Sequence, residues 1–357
     1  MQNDVPPGIN YERVVRFFLD NVPGASPGLR FELIGDGRSN LTYRVSGGER
    51  EWVLRRPPLG HVLPTAHDMA REYRVLTALQ ETDVPVPRTV ALCEDPEVNE
   101  YPFYIMEYCS GVILVDSLPP GYAETEQERR KLSLALVDTL VKLHAVDYRK
   151  VGLEDFGRPE GYLERQVRRW SQQWERSKTR ELPEIDELIR RLNAAIPPSP
   201  PPTIVHGDYR LGNMILDEHD PGRVIAILDW EMATLGDPLA DLGYTLIYWG
   251  QQDDSPERLN LRTASTLTAR PGFLTRDELV AEYARRSGRD VSHIDFYQVL
   301  ALYKLAVIVE GIYARFLKGQ TVGEGYEQYA DSCPNLVRLG LQIAGESADP
   351  ALRGESR

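Results

Sequence analysis

Residues 204–230 narrow what this chain can become more than any other stretch. They read IVHGDYRLGNMILD, then the turn EHDPG, then RVIAILDW. Apolar runs bracket three polar side chains, Asp208, Asn213 and Asp229. Short apolar runs bounded by turn signals predict buried strands, which hold such groups at strand ends rather than on mobile loops. Asp and Asn beside glycine are commonly plain turn residues, so an isolated Asp and Asn five apart would carry nothing; the whole string does. Three oxygen-bearing side chains at one spot suit a hard cation such as Mg²⁺, held by one or two side chains together with substrate phosphates. An Asp beside that metal can orient a substrate hydroxyl and accept its proton.

The surrounding 357 residues have room for roughly two domains or lobes at about 150 residues each. The 41 Lys and Arg against 54 Asp and Glu leave a net charge of −13, a poor balance for binding nucleic acid. No stretch approaches the ~18 uninterrupted apolar residues of a membrane span, and the N-terminus lacks the basic and apolar regions of a secretory signal. Cys93, Cys109 and Cys333 are odd in number and widely spaced, which argues against a disulfide framework or a zinc site. These features predict a cytoplasmic protein with no membrane partner; its oligomeric state is not encoded in any visible pattern.

Helical spacing is visible at 10–20, 66–80, 124–146, 160–178, 184–195, 238–249, 276–286, 291–318 and 326–344. Strand patterns occupy 30–35, 40–46, 51–55, 88–93, 102–107, 213–217 and 223–228. The Pro-rich 196–203 reads as a rigid connector, and the polar tail after about 345 as frayed. Strands thus gather in the first third and helices in the rest.

The string HGDYRLGN, followed after a hairpin by ILDW, resembles the catalytic signature of the aminoglycoside phosphotransferases and related small-molecule kinases. That resemblance implies an α+β, bilobal protein-kinase-like fold. Residues 1–111 would form a nucleotide-binding β-sheet lobe ending in the hinge, 112–345 a mainly helical catalytic and acceptor-binding lobe, and 346–357 a tail. Protein kinases carry HRD and DFG instead. Gly207 in place of that Arg, and Trp230 and Glu231 in place of Phe and Gly, argue against a regulated protein kinase.

The resemblance also implies ATP and Mg²⁺ as cofactors and a small-molecule hydroxyl as acceptor. Asp208 would be the catalytic base, with Asn213 and Asp229 holding the metal. Gly35 and Gly37 would let a hairpin approach the phosphates, with Ser39 and Asn40 as donors. Val53 and Arg55 share a strand face by the period of two, so Val53 would meet adenine and Arg55, replacing the usual Lys, the phosphates; Arg56 would face the other way. Glu72 would pair with Arg55. Met106 would be the gatekeeper, and the Glu107 carbonyl and Cys109 amide would bind adenine. His206, Asp237 and Asp241 read as structural, Asp241 bonding back to the loop around His206.

For the acceptor, VLRRPP (53–58) and YLERQVRRW (162–170) resemble the phosphotransferase domains fused to, or encoded beside, acyl-CoA dehydrogenases. That implies phosphorylation of a hydroxyacyl-CoA, with Arg165, Arg168, Arg169 and Trp170 suited to the phosphates and adenine of CoA. Two alternatives stand beside it. An aminoglycoside acceptor is a polycation that the net negative charge would favour at long range. A pseudokinase or nucleotide-binding module would account for the missing Lys.

Overall fold

The computed structural model describes residues 6–34, 40–59, 67–255, 258, 266–321 and 325–355. The expected phosphate-loop residues Gly35, Gly37 and Ser39 lie outside the described residues. A five-stranded antiparallel sheet comprises β1 (Arg30–Ile34), β2 (Leu41–Ser46), β3 (Trp52–Arg56), β4 (Thr89–Cys93) and β5 (Phe103–Glu107), in the order β1-β2-β3-β5-β4. Strand alternation gives the sheet two working faces. Tyr43, Val45, Trp52, Leu54, Phe103 and Ile105 pack on α1 (Tyr11–Asn21) through Val14 and Phe18. Phe18 meets Trp52 edge-on at 6.2 Å. Val53, Tyr104 and Met106 point the opposite way, toward α2 (Met69–Leu79) and the rest of the molecule.

The second lobe is mostly helical. It contains α3 (Glu126–Ala145), α4 (Tyr162–Ser177), α5 (Pro183–Ala194), α6 (Leu239–Tyr248), α7 (Arg276–Ser287), α8 (Ile294–Leu317) and α9 (Ser332–Glu346). Helices α3 and α7 each start with a capping box, Thr125 with Glu128 and Thr275 with Glu278, which satisfies otherwise orphaned amides. Helix α8 is apolar nearly all round and is buried accordingly, packing on α4, α6 and α9. Two short hairpin-like pairs carry the motif region: β7 (Met214–Leu216) with β8 (Val224–Ile227), and β6 (Thr203–Val205) with β9 (Thr234–Gly236).

Most expected elements appear within a few residues. Strands β6 and β9, three residues each, are additions, too short to show alternation. The helix expected at 326–344 divides into a 3₁₀ turn, Glu327–Ala330, and α9. The tail is a correction. It does not fray after 345: α10 (Pro350–Arg353) docks on α5, with Leu352 buried and Arg353 donating to the Ser347 carbonyl. Leu352, with Ala351 beside it, anchors this otherwise polar stretch, too little apolar surface for composition to signal. No helix among the described residues is long and apolar enough to cross a membrane.

Candidate active site

The HGDYRLGN loop leaves β6 and is held from several sides. The Asp241 carboxylate, fully buried on α6, accepts the His206 and Gly207 amides, each at 2.7 Å. Burial would raise the Asp241 carboxyl, but hydrogen bonds from His144 and the backbone hold it below its ordinary value. His206 accepts the Asp208 amide at Nδ1 (3.2 Å), which leaves Nε2 as donor to the Leu228 carbonyl at 2.9 Å. His206 is therefore a buried strut between the loop and the strand end carrying Asp229.

Gly207 explains why the Arg of protein kinases is absent here. Its φ of +85° is left-handed, and a Cβ there would stand 2.8 Å from both the Cβ and the carbonyl of Met232. Gly207→Ala is expected to lose about 1–3 kcal/mol of stability, read by thermal denaturation, with turnover falling as the loop shifts.

After the loop, the Asn213 amide nitrogen donates to the Asp208 carbonyl (2.8 Å) and to Asp208 Oδ2 (2.6 Å). That orientation turns Asn213 Oδ1 away from Asp208, where it could serve as a ligand atom. Asp229 follows β8 in a left-handed conformation, φ 65°, ψ 64°, rare for a non-glycine residue and characteristic of functional sites. Two hard oxygen donors from two adjacent segments fit a cation that keeps several waters or substrate oxygens, as Mg²⁺ does.

Arg55 reaches both sides of this site. Its Nε lies 3.0 Å from Glu72 and its Nη2 2.6 Å from Asp229 Oδ1. Burial alone would depress the guanidinium, but Glu72, with smaller contributions from Tyr104, Asp229 and Glu231, keeps it firmly charged. Burial pushes the Glu72 carboxyl up to about 7, against the opposing Arg55 charge. Glu72 also accepts from Tyr104 Oη (3.1 Å) and Asn40 Nδ2 (2.9 Å). Asn40 is thus placed differently from expectation: its amide nitrogen is committed to Glu72 and, at 3.2 Å, Glu231, and its oxygen to His67. Arg56 points to the far face, where it bonds the Gly8 and Pro57 carbonyls.

Two cavities meet this network. One, about 290 Å³, is walled by Val53, Leu76, Met106, Ile215 and Ile227, with Glu107, Tyr108 and Cys109 along one edge and Arg55 and Asp229 at its polar end. It brings together the side chains expected around adenine. Its two apolar walls come from different lobes, a slot suited to a flat ring. The second is a cleft of about 860 Å³ that Glu72, Glu231 and Gly207 border on one side. Arg158, Arg165, Arg168, Arg169 and Arg176 line its outer part, with Arg71 and Lys304 deeper. Arg165 donates to the Glu160 and Arg158 carbonyls, and Arg71 to those of Phe156 and Ala233. Among the described residues, Arg158, Arg168, Arg169 and Arg176 pair with no carboxylate. Trp170 is 7% exposed and Trp174 1%. Trp170 therefore offers no face to the large cleft; it borders a side pocket of about 40 Å³ together with Lys304.

His67, Glu231, Arg210 and Lys304 also join the site, with no site role expected of them from the sequence. Arg210 Nε stands 3.4 Å from Asp208 Oδ1. Lys304 Nζ donates to the Gly207 carbonyl at 2.6 Å. The one available signal was a lysine within the apolar run VLALYKLAVIV.

A model of the phosphotransferase enzyme family matches residues 30–279. The chain is 34% identical over 309 residues to mouse acyl-CoA dehydrogenase family member 10, covering 86% of this chain and 28% of that protein. With rat acyl-CoA dehydrogenase family member 11 it shares 34% identity over 311 residues, covering 86% of this chain and 39% of that protein. The chain therefore spans well under half the length of these curated relatives. A solved structure from Ralstonia eutropha, described as a "putative aminoglycoside phosphotransferase", superposes with a TM-score of 0.81 at 32% identity, covering 95% of this chain and 99% of that one. Choline kinase from Cryptosporidium parvum superposes at 0.66 with 12% identity over 96% and 98% of the two chains, a likeness of fold alone.

Proposed function

The chain belongs to the phosphotransferase enzyme family, and on that premise we propose that it transfers the γ-phosphoryl group of ATP, with Mg²⁺, to the hydroxyl of a hydroxyacyl-CoA. The observation that carries the choice of acceptor is the charge of the large cleft. Five arginines from α4 and the segment before it face it, and none of them has a carboxylate partner among the described residues, Arg165 being held by two backbone carbonyls. Unpaired guanidinium forks favour phosphate groups such as those of CoA and disfavour a polycation. The net −13 of the whole chain is thus a poor guide to the acceptor, because the local sign is opposite. The relatives named as acyl-CoA dehydrogenases support the same reading.

The residues divide the work by position. Val53, Met106, Ile215 and Ile227 would sandwich adenine, with the Glu107 carbonyl and Cys109 amide at its edge. Arg55, oriented by Glu72, would meet the α- and β-phosphates. Asn213 and Asp229 would hold Mg²⁺, which supplies charge neutralisation on the phosphate oxygens. Asp208 accepts the acceptor's hydroxyl proton as the new O–P bond forms and the bond from Pγ to the bridging oxygen breaks, releasing ADP. The chain's contribution is position and charge, since phosphoryl transfer asks for little covalent work.

Reversing the cleft charge tests the acceptor. An Arg168→Glu, Arg169→Glu double variant is expected to raise KM for a 4-hydroxyacyl-CoA by about tenfold or more, since each lost contact is charge-assisted, with KM for ATP unchanged. Equal KM for the thioester in variant and wild type would remove the cleft from the account. ATP binding without transfer to any hydroxyl would favour a nucleotide-binding module instead.

A further inference from the structure

Lys304 lies mid-way along α8, between Tyr303 and Leu305, both buried. Lys304 itself is half-buried and lines the large cleft, so its ammonium gives up part of its hydration, a loss commonly offset by a carboxylate. Among the described residues Lys304 has no such ion pair. Its ammonium instead donates to the Gly207 carbonyl at 2.6 Å and stands 4.4 Å from the centre of the Tyr244 ring and 6.0 Å from that of Trp170. The aromatic faces offset part of the lost hydration.

The Gly207 peptide units are consequently gripped from two helices. Asp241 on α6 accepts the His206 and Gly207 amides, and Lys304 on α8 donates to the Gly207 carbonyl. That carbonyl belongs to the peptide bond leading into Asp208. Lys304 also lines both the large cleft and the side pocket beneath it, so the grip lies at the acceptor side. A left-handed glycine gives the loop freedom at this point, and the two helices remove it.

We propose that Lys304 is a positioning residue for phosphoryl transfer, whose ammonium clamps the Gly207 carbonyl and so fixes Asp208 toward the acceptor hydroxyl. The proposal rests on Asp208 acting as the base; Asp208→Asn, which leaves the clamp in place, tests that separately. The charged form makes the stronger clamp, since an ammonium donates roughly twice as strongly as a neutral amine. Burial depresses the Lys304 amine to about 8, against the opposing charges of Asp208 and Asp241 and with Arg169 acting in the same direction as burial. The groups facing it are Tyr162 and Arg169 from α4, Asp208 from the loop, Asp241 and Tyr244 from α6, and Tyr297 from its own helix. Its folded value lies below the ordinary one, so the ammonium is lost as pH rises through about 8, and kcat falls with it.

The test compares Lys304→Met and Lys304→Arg with wild type, using ADP release from MgATP with a 4-hydroxyacyl-CoA as acceptor, or with water if the thioester is not used. Lys304→Met is expected to lose on the order of 100-fold in kcat through misplacement of the base, with KM for ATP within about twofold. Amide hydrogen exchange at 206–209 in the nucleotide-free protein should accelerate. Lys304→Arg should restore most of kcat and abolish the alkaline fall, because a guanidinium stays charged. An unchanged kcat in Lys304→Met, or lost kcat without faster exchange, overturns the proposal. If Lys304→Met does not fold, an alkaline limb that persists in Lys304→Arg overturns it equally.

Discussion

Asp208→Asn is expected to lower kcat by roughly a thousandfold, the contribution of a positioned general base, while leaving nucleotide binding intact. The substitution is nearly isosteric, and the main contacts that hold the loop do not run through the Asp208 carboxylate, although Arg210 Nε at 3.4 Å loses its ion pair. Asp241 grips the two preceding amides, and the Asp208 carbonyl accepts from Asn213 at 2.8 Å. Asn213 Nδ2 also touches the carboxylate at 2.6 Å, a contact that an amide oxygen can keep by turning. What disappears is a group able to accept the hydroxyl proton. Steady-state kinetics should show kcat and kcat/KM for the acceptor falling together, the pattern of an interaction made in the transition state. The stabilisation of the protein by MgATP should persist. Turnover close to wild type would mean that proton removal is not assisted at this position.

Asp229→Ala is expected to lose turnover to a comparable or greater degree and, unlike Asp208→Asn, to lose the Mg²⁺-dependent part of nucleotide binding. Two consequences combine. One of the two oxygen donors proposed for the metal is gone, and Arg55 loses its 2.6 Å partner, retaining Glu72 as its nearest carboxylate. A ligand at 100 times its Kd stabilises a protein by about 2.7 kcal/mol, so the difference is readable in thermal denaturation. Wild type should gain stability with ATP and Mg²⁺ beyond that with ATP alone, and the Asp229→Ala variant should not. The nucleotide-free variant also tests the strained backbone at φ 65°, since alanine tolerates that region poorly. An undiminished Mg²⁺-dependent shift would assign the metal to other residues. The contrast between the variants separates binding from transfer.

Much of this site was legible because its residues are close in sequence or related by simple periods. Asp208 and Asn213 lie just before one hairpin and Asp229 just after it, and the period of two put Val53 and Arg55 on the face opposite Arg56. Strand β5, FYIME, announced itself by its apolar run. Contacts that span the chain were harder. Asn40 was expected to donate to phosphate, yet its side chain bridges Glu72 and Glu231, because folding brings residues 32 and 191 positions away into reach. Trp170 looked like a ring for adenine, but its place among the buried positions of α4 turns it inward. Lys304 went unused because a lysine in an apolar helix signals nothing until the carbonyl it meets is known. The docked tail is anchored chiefly by the buried Leu352, with Ala351 packed beside it and Arg353 bonding back to Ser347, which no pattern in a short polar segment reveals.

Transfer of label from γ-labelled ATP, run in parallel on a 4-hydroxyacyl-CoA and on kanamycin with Mg²⁺ present, tests the choice of acceptor most directly. Labelled thioester phosphate, dependent on Asp208, is expected, with little or no label on kanamycin. Label on kanamycin with none on the thioester would rule out the hydroxyacyl-CoA as acceptor.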